Sequence, residues 1–514
     1  MTITYQYNPT IQTQLPPVRM YTLIHLIIAE AIGATRAWLF LGGADLLALA
    51  STPSVLLRRQ GRPLAAMSWL LALFVVPYLG VLWWWLVGRE HMQRKRRLRQ
   101  KSTEEFCACL DEFETDKPSK SAMRAFDGLL PHGLFHGYGH LELYPPSRNN
   151  QVELLVDGHN AFATIEEMIE GAESYIHLLF FIWKTDETGR RLRDALVEKA
   201  RQGVEVRVLV DGMGSPDFEK ELAGPLVEAG GQVGIFLPPT YLSRRPTFNF
   251  RNHRKLIVFD GEEAFTGGMN VGEEYEHTWH DLAIRVRGPV VQQLHTVFLD
   301  DWYFATAENL ATERYVRVNM PPRADTPALS VREANCAVIA SGPDTEHDGL
   351  RDALFHAINA ANDRLWMTTP YFIPGADILA ALRAAVQRGV DVKLILPEES
   401  DVAIVRRASR AYYPMLLESG IRLFEYQPRV LHAKSLLVDQ SYAMMGSANL
   451  DVRSFKINFE VTTFVASSEF NKRVASVFEA DLDQCREVDR TEIRSHSVLS
   501  NLTDALAHLT SPML

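Results

Sequence analysis

The sequence predicts an α/β protein made of two similar lobes packed as a pseudo-dimer, preceded by one or two transmembrane helices. Three observations lead to this fold class. Helical and strand patterns alternate through most of the chain, this alternation occurs twice, and an uncharged run of 25 residues precedes it. The net charge of −10 argues against a general nucleic-acid binder, and a composition of 47% hydrophobic residues excludes a disordered chain.

The uncharged run at 64–88 is long enough to cross a bilayer, since about 20 apolar residues suffice. Pro77 is expected to kink this helix, which membrane helices tolerate, and the three tryptophans at 83–85 suit a membrane interface. The earlier segment 21–49 contains Glu30, Arg36 and Asp45, so it is either a weaker span or an interfacial helix. A cleaved signal peptide is not expected.

A polybasic run follows the uncharged segment. Residues 89–101 contain seven Lys or Arg and one acid, against three arginines in the preceding loop, which places the large C-terminal part in the cytoplasm. Such a run also attracts anionic lipid, although a solvated helix face is the alternative. The predicted organisation is an N-terminal tail with the weak segment (1–63), a transmembrane helix (64–88), a linker (89–133), two lobes (134–320 and 321–490) and an amphipathic tail (491–514).

The two lobes are recognised by an internal repeat. RQGVEVRVLV at 201–210 matches QRGVDVKLIL at 387–396, and each is typical of a helix end at Gly203 or Gly389 followed by a strand. Upstream, ESYIHLLFFIW and DRLWMTTPYFI are comparable strand patterns, each after a helical pattern. Helix and strand therefore alternate in both halves, as in a duplicated α/β unit.

Each lobe carries the pattern H-x-K-x4-D, and the agreement continues downstream. An Asn follows each His by 17 residues, and a carboxylate follows it by 28. The two matched sets are His253, Lys255, Asp260, Asn270 and Asp281, and His432, Lys434, Asp439, Asn449 and Glu460. A single His-x-Lys pair would be an ordinary surface strand, but two matched sets of five indicate shared chemistry.

Strand geometry gives this chemistry a physical reading. His and Lys two positions apart point to the same face of a strand, and an anion such as phosphate between them relieves their repulsion. The turns at Gly267-Gly268 and Gly446-Ser447 bring backbone N–H groups and the Asn amide towards the same oxygens. The later carboxylate accepts the far ring N–H of a histidine. Asp260 and Asp439 lie on the opposite strand face and are expected to be structural anchors.

These residues resemble the phospholipase D superfamily, whose duplicated signature is H-x-K-x4-D followed by G-[GS]-x-N, over about 134–488. TTPYFIP at 368–374 and GSANLDVRSFKINFE at 446–460 are similar to bacterial cardiolipin synthases. The resemblance implies one site between two lobes and no metal or cofactor. It also implies transfer of a phosphatidyl group between two phosphatidylglycerol molecules, with release of glycerol, at the bacterial inner membrane.

The resemblance implies that His253 attacks phosphorus to form a phosphohistidine and that His432 protonates the departing glycerol. We expect Asp281 to hold His253 and Glu460 to hold His432. The shorter Asp281, and the charges of Arg251 and Arg254, then favour a neutral His253. The groups expected to stabilise the phosphoryl oxygens are Lys255, Lys434, Asn270 and Asn449, with Ser447 in the second turn.

Several alternatives stay open from the sequence. A phospholipase D hydrolase shares every catalytic residue and differs only in its acceptor, whereas the membrane segments disfavour a nuclease and the intact motifs disfavour a non-enzymatic lipid-binding scaffold. The segment 240–254 either lines the headgroup entrance or is a solvated loop. The tail at 501–514 either lies on the membrane or forms a core helix or a dimer contact. The expected partners are phosphatidylglycerol and anionic membrane lipid, and the sequence predicts no oligomeric state.

Overall fold

A computed structural model describes residues 34–60, 63–88, 99, 101–106, 146–238, 250–312, 314–316, 328–344, 348–491 and 498–509. The chain divides into two compact units, Met1–Lys95 and Arg96–Leu514, and each is described by itself. Residues 21–33 of the weak membrane segment, most of the linker and residues 239–249 lie outside the described residues.

The N-terminal unit is helical. Its elements are α1 (Ala34–Arg58), α2 (Pro63–Val75), α3 (Pro77–Trp83) and a π-helical turn, Trp84–Gly88. Its small core consists of Ala48, Val55, Ala66, Leu73 and Trp84. Many of its other apolar side chains are exposed instead, among them Leu46, Leu57, Met67, Leu71 and Trp83.

The stretch 64–88, expected as one transmembrane helix, is divided at Val76. Pro77 has no N–H to continue the helix, and Val76 takes φ −132° and ψ 68°, so α3 turns back against α2. Gly80 makes this packing possible, because a Cβ there would lie 2.2 Å from the carbonyl oxygen of Ala72. Among the described residues no helix is both long and apolar enough to cross a membrane, so the expected transmembrane helices are not confirmed.

The C-terminal unit alternates strands and helices, as the sequence predicts. The first lobe contains β1 (Ser147–Val156), α4 (Asp157–Gly171), β2 (Tyr175–Phe180), α5 (Glu187–Arg201), β3 (Glu205–Asp211), α6 (Phe218–Glu221), α7 (Ala223–Glu228), β4 (Gln232–Phe236), β5 (Arg251–Asn252), β6 (Leu256–Phe259), β7 (Glu263–Gly267), a π-helical turn (Glu274–Thr278), β8 (Leu282–Arg287) and α8 (Val290–Thr306).

The second lobe repeats this order. It contains β9 (Val331–Ser341), α9 (Gly349–Ala360), β10 (Arg364–Thr368), β11 (Phe372–Ile373), α10 (Ala376–Gln387), β12 (Asp391–Pro397), α11 (Ala403–Arg410), α12 (Tyr413–Glu418), β13 (Arg422–Tyr426), β14 (Ser435–Val438), β15 (Tyr442–Gly446), β16 (Leu450–Asp451), α13 (Val452–Lys456), β17 (Asn458–Ala466), α14 (Ser468–Leu482), β18 (Cys485–Glu487) and α15 (Val498–His508).

One mixed sheet runs through both lobes in the order β18-β13-β12-β10-β14-β15-β17-β9-β1-β8-β7-β6-β2-β3-β4. Read outwards from the central antiparallel pair β1 and β9, the two halves follow the same pattern of connections. This is the pseudo-dimer predicted from the repeat, with the two lobes joined edge to edge.

Apolar side chains cover both faces of this sheet. Helices α8 and α14 pack over a core that both lobes share, while separate cores lie under α4 and α5 in the first lobe and under α9 and α10 in the second. Strands β2 and β6 are buried along their whole length, which explains why their sequences are apolar runs, interrupted only by His177 in β2, rather than alternating ones.

Candidate active site

The two His-Lys pairs lie where short strands cross between the lobes. Strand β5 pairs in parallel with the start of β17, and the N–H of His253 donates to the carbonyl of Phe459 at 2.9 Å. The related crossing joins His280 to Leu431, and the N–H of His432 donates to the carbonyl of His280 at 2.7 Å. Both histidines and both lysines are buried there, so the two motifs meet at one site between the lobes.

The crossing exchanges the carboxylate partners between the lobes. Nδ1 of His253 lies 3.0 Å from Oε2 of Glu460, and Nδ1 of His432 lies 2.6 Å from Oδ2 of Asp281. The expected pairing of His253 with Asp281 and of His432 with Glu460 is therefore wrong. The physical reason is strand pairing: each histidine follows a segment hydrogen-bonded to the residue just before the other lobe's carboxylate.

The carboxylates orient both imidazole rings in the same way. An ionised carboxylate only accepts hydrogen bonds, so Nδ1 of His253 and of His432 carries the proton. In the neutral ring Nε2 then holds a lone pair, and within the described residues neither Nε2 has a hydrogen-bond partner. Each ring therefore presents a nitrogen that can attack phosphorus or exchange a proton.

The two lysines bring buried positive charge to the same place. Nζ of Lys255 donates to the carbonyl oxygen of His253 at 2.6 Å, and Nζ of Lys434 makes the equivalent bond to His432. Burial lowers the pKa of Lys255 well below its usual value and that of Lys434 to about 8, against the opposing charges of Asp281 and Glu460. In the described ranges neither ammonium group has a carboxylate at ion-pair distance, as a site for a bound anion requires.

The two predicted asparagines lie beside the histidines in buried positions. Oδ1 of Asn270 accepts from the backbone N–H of Ile182 at 3.1 Å, and its side chain also hydrogen-bonds Tyr275. Asn449 is held by its own backbone N–H, which donates to Ser454 Oγ at 3.2 Å. Its buried Oδ1 has no hydrogen-bond partner among the described residues.

The turn residue next to each carboxylate differs between the lobes. A Cβ at Gly268 would lie 2.3 Å from Asp281 Oδ1, so this turn has room only for glycine. The corresponding Ser447 instead donates from Oγ to Glu460 Oε2 at 2.5 Å, and Nδ2 of Asn458 donates to Oε1 at 3.2 Å. Glu460 therefore shares its charge among more donors than Asp281, whose Oδ1 accepts from the N–H of Leu282 at 2.8 Å.

Asp260 and Asp439 lie in turns after the motif strands, with φ of 55° and 50°. The Asp260 carboxylate accepts from the backbone N–H groups of residues 173, 174 and 175 at 2.7–2.8 Å, and Asp439 accepts from those of residues 362, 363 and 364 at 2.8–3.3 Å. These bonds attach each turn to the start of β2 or β10. Both carboxylates are anchors of the fold, as the opposite strand face predicts.

Burial has the largest effect on the pKa of both histidines. It lowers the pKa of His253 to about 4, because Glu460 offsets burial only in part and the charges of Lys255 and Lys434 add to it. Burial and the charge of Lys434 also lower the pKa of His432, against the effect of Asp281. With a pKa of about 4, the His253 ring is neutral at pH 7. The pKa of His253 is lowered as expected, with burial and the two lysines among its causes, while Arg254 is paired with Asp301 at 2.7 Å.

His280 is a site residue that the sequence did not reveal. Its Nδ1 lies 2.5 Å from Asp157 and its Nε2 lies 3.0 Å from Asp481, on opposite lobes. Burial alone would lower the pKa of His280, but these two hydrogen bonds raise it to about 9. The ring is therefore a buried cation that joins the lobes one residue before Asp281. In the sequence, only the position of His280 directly before Asp281 could have indicated this role.

A second unpredicted network lies behind His253. Asp301 accepts from Asn252 Nδ2 at 2.9 Å and from Arg254 Nη1 at 2.7 Å, on either side of the histidine. Its other oxygen accepts from Arg99 Nη2 at 2.8 Å. Of the segment 240–254, Phe250 and Arg254 are thus interior residues, and the part at 239–249 lies outside the described residues.

Aromatic rings enclose the site on both sides. Phe181 lies 4.9 Å from the His253 ring, and Trp279 lies 5.0 Å from the His432 ring. Such walls limit the access of water to the histidines. Across the described residues no group of three or more His, Cys, Asp or Glu side chains could hold a metal ion.

Comparison with known proteins decides the family. The model for the PLD-like domain of cardiolipin synthase matches residues 165–302 and 354–482. The chain is 35% identical over 463 residues to a cardiolipin synthase of Geobacillus thermodenitrificans, covering 88% of this chain and 89% of the relative. This chain belongs to the cardiolipin synthase family. The expected membership is confirmed, and with it the assignment as a phosphatidyl transferase with phospholipase D-like lobes.

Further relatives agree with this family. The major cardiolipin synthase of Bacillus subtilis is 33% identical over 471 residues, with 88% of this chain and 94% of the relative covered. Among solved structures, a phosphatidylserine synthase of Haemophilus influenzae superposes with a TM-score of 0.54 at 15% identity, covering 71% of this chain and 95% of that chain. This second likeness concerns the fold alone.

Proposed function

We propose that this cardiolipin synthase family member joins two phosphatidylglycerol molecules into cardiolipin and glycerol through a phosphohistidine on His253. The observation that carries the proposal is the convergence of two carboxylate-held histidines and two buried lysines, one of each from either lobe. A bound phosphodiester anion gives the two lysines the negatively charged partner that they otherwise lack among the residues that the structure describes. The two histidines then lie on either side of its phosphorus.

The first half of the reaction breaks one P–O bond and forms one P–N bond. The Nε2 lone pair of His253 attacks phosphorus, while Glu460 holds the Nδ1 proton and balances the growing positive charge on the ring. His432, protonated on Nε2, gives that proton to the glycerol oxygen as it leaves. Lys255, Lys434, Asn270 and Asn449 donate to the non-bridging oxygens, and one such donor commonly contributes about 3 kcal/mol.

The second half reverses these steps with a new alcohol. His432 takes the proton of the incoming phosphatidylglycerol hydroxyl, whose oxygen then attacks phosphorus, and the P–N bond to His253 breaks. Both histidines return to their starting state. Water would give phosphatidic acid instead, so the enclosing rings Phe181 and Trp279 favour transfer over hydrolysis.

The different carboxylate surroundings support His253 as the nucleophile. Ser447 and Asn458 also donate hydrogen bonds to the Glu460 carboxylate. Glu460 therefore stabilises a protonated His253 less than it would without these donors, which favours the neutral ring. Asp281 lies 2.6 Å from His432, whereas Glu460 lies 3.0 Å from His253. The shorter contact suits a ring that must carry a proton before glycerol leaves.

Membrane attachment through the N-terminal unit is part of the proposal. Its exposed apolar side chains and the polybasic run at 89–101 suit an anionic membrane, with the catalytic lobes on the cytoplasmic side of a multi-pass inner-membrane protein. Single cysteines placed at 57 and 227 and labelled with an impermeant thiol reagent test this. Position 227 should react only from the cytoplasmic side, and its reaction from outside would contradict the orientation.

The reaction is tested by giving the purified enzyme phosphatidylglycerol as its sole lipid. We expect cardiolipin and glycerol in equal amounts, measured by mass spectrometry and enzymatic glycerol assay. Phosphatidic acid with glycerol and no cardiolipin would favour a hydrolase instead. A variant with His432→Ala, which should make neither product, controls for contaminating lipases.

A further inference from the structure

The C-terminal helix α15 packs against α11 with one face and leaves the other uncovered. Arg407 Nη1 donates to Thr503 Oγ1 at 2.8 Å and pairs with Asp504 at 3.3 Å, and the rings of Tyr412 and His508 meet edge to face at 4.9 Å. Ala507 is buried in the same contact. The helix is therefore docked on the second lobe.

The opposite face of α15 is a stripe of leucines. Leu502, Leu506 and Leu509 are 54%, 55% and 75% exposed, and their spacing of four and three residues puts them on one side of the helix. The start of α11 adds exposed apolar side chains at Val402 (37%) and Ile404 (42%). These five residues, called the C-terminal apolar patch, lie on or directly beside two helices that pack on each other.

The patch is connected to the catalytic site by short steps. Asp401, immediately before Val402, accepts from Tyr371 Oη at 2.8 Å. Ser409 of α11 accepts from the backbone N–H of Phe372 at 3.2 Å, and Phe372 in β11 pairs with Leu450 in β16, the residue after Asn449. Helix α11 is therefore linked to the strand that follows Asn449.

We infer that the C-terminal apolar patch is a second lipid-contacting surface, which places the active site directly on an anionic bilayer. Arg406 and Arg410 also lie on α11, a combination that fits anionic headgroups above acyl chains, while Arg407 is engaged with Asp504. A protein partner fits less well, because a stable interface buries about 800 Å² on each side, more than five partly exposed side chains supply. The inference rests on the proposed function, which requires two lipid substrates to enter from a membrane.

The test measures the depth of single labelled positions in the reconstituted full chain. The four cysteines are replaced by serine, and one cysteine carrying a fluorescent dye is placed at Leu506→Cys, at Ile404→Cys or, as the control, at Val227→Cys. Val227 is 55% exposed, as Leu506 is, but lies on α7 of the first lobe. Vesicles contain phosphatidylglycerol with brominated acyl chains.

We expect blue-shifted emission and strong quenching by the brominated chains at 506 and 404, and neither effect at 227. Equal quenching at all three positions, or none at 506, would overturn the inference. The dye at 506 could instead show only self-quenching between labelled copies in detergent. This result would mean that the patch binds a second copy of the chain, and would overturn the inference. The measurement needs no turnover, so it stands apart from any failure of the proposed reaction.

A kinetic test separates membrane contact from a structural role. Leu502→Ser, Leu506→Ser and Leu509→Ser together should raise the apparent KM for phosphatidylglycerol in vesicles by about tenfold. Turnover of short-chain phosphatidylglycerol below its micelle concentration should be unchanged. Equal loss with both substrates would mean that the leucines serve the fold, and would overturn the inference.

Discussion

At the residue scale, the chemistry depends on buried positive charges that have no carboxylate of their own within the part of the chain that the structure describes. Two lysines and two histidines from different lobes lie in one enclosed site, and the two carboxylates there are already engaged by the histidines. Burial lowers the pKa of both lysines, the charge of Lys434 adds to this effect at Lys255, and a bound phosphodiester anion would oppose it. The site is thus prepared for an anion.

Lys434→Ala tests the importance of this charge. Removing one of two neighbouring buried cations should leave the fold intact, whereas turnover should fall by about 100-fold or more, the loss typical of one oxyanion donor. The measurements are the rate of cardiolipin formation and thermal unfolding by circular dichroism. Lys472→Ala, an exposed lysine on α14, is the matched control and should behave as the wild type. Near-normal turnover in Lys434→Ala would contradict the two-motif site.

The crossed carboxylates give a second test at the same scale. Glu460→Gln should shift the ¹⁵N resonances of the His253 ring and leave those of His432 unchanged, since Glu460 contacts only the former. Asp281→Asn should do the reverse. Each variant is the control of the other in the same NMR spectrum. A shift of His432 alone on Glu460→Gln would restore the pairing within each lobe.

At the element scale, short strand segments carry the catalytic groups from one lobe to the other. The pairing of β5 with β17 and the bridge at His280 fix the backbone on either side of both histidines. His280 adds an ionic joint, because it binds Asp157 from the first lobe and Asp481 from the second. The geometry of the site therefore depends on the charge of a residue outside the signature motifs.

This joint makes stability depend on pH in a predictable direction. The folded pKa of His280 is about 9, above the value near 6.5 of an unfolded chain, so the protonated ring stabilises the fold fully below pH 6.5. That contribution, about 3 kcal/mol, is lost as the pH rises through 9. Urea unfolding at pH 6 and pH 10 should show it in the wild type, and His280→Gln should reduce the difference. His277→Gln, an exposed neighbour, should keep the wild-type slope.

Arg99 attaches the end of the polybasic run to the catalytic lobes. Its buried guanidinium binds Asp300, Asp301 and Asp344, and Asp301 in turn holds the residues on both sides of His253. Arg99→Gln leaves these carboxylates without their cation, so we expect a loss of about 3–5 kcal/mol in the free energy of unfolding, measured by urea denaturation. Lys101→Gln, a change at a side chain 72% exposed, should alter it by less than about 0.5 kcal/mol. Equal effects would contradict a buried role for Arg99.

At the scale of the whole molecule, the repeat in the sequence predicts two lobes and one shared site. Motifs repeated at equal spacing form the same strands and helices in each lobe. The spacing of His253 and His432 to their carboxylates could not predict which carboxylate serves which ring. That depends on the pairing of β5 with β17, a contact between residues about 200 positions apart in the chain. The sequence predicts a kink at Pro77 but not that α3 folds back on α2, because hydropathy counts apolar residues and does not register the close packing that Gly80 permits.

The near symmetry of the two lobes leaves one question for the whole enzyme, namely which histidine becomes covalent. Glu460 is shared with Ser447 and Asn458 and leaves His253 neutral, whereas Asp281 lies closer to His432 and supports its protonated form. We therefore expect enzyme quenched during turnover by denaturant at alkaline pH, where a P–N bond survives, to carry a phosphatidyl adduct on the peptide containing His253, detected by mass spectrometry. His432→Ala should form the same adduct from a phosphatidyl substrate with a good leaving group, which needs no acid, and should release it slowly because no base activates the second alcohol. His253→Ala is the control and should form none. An adduct found only on the His432 peptide would reverse the two roles and leave the transfer of the phosphatidyl group in place.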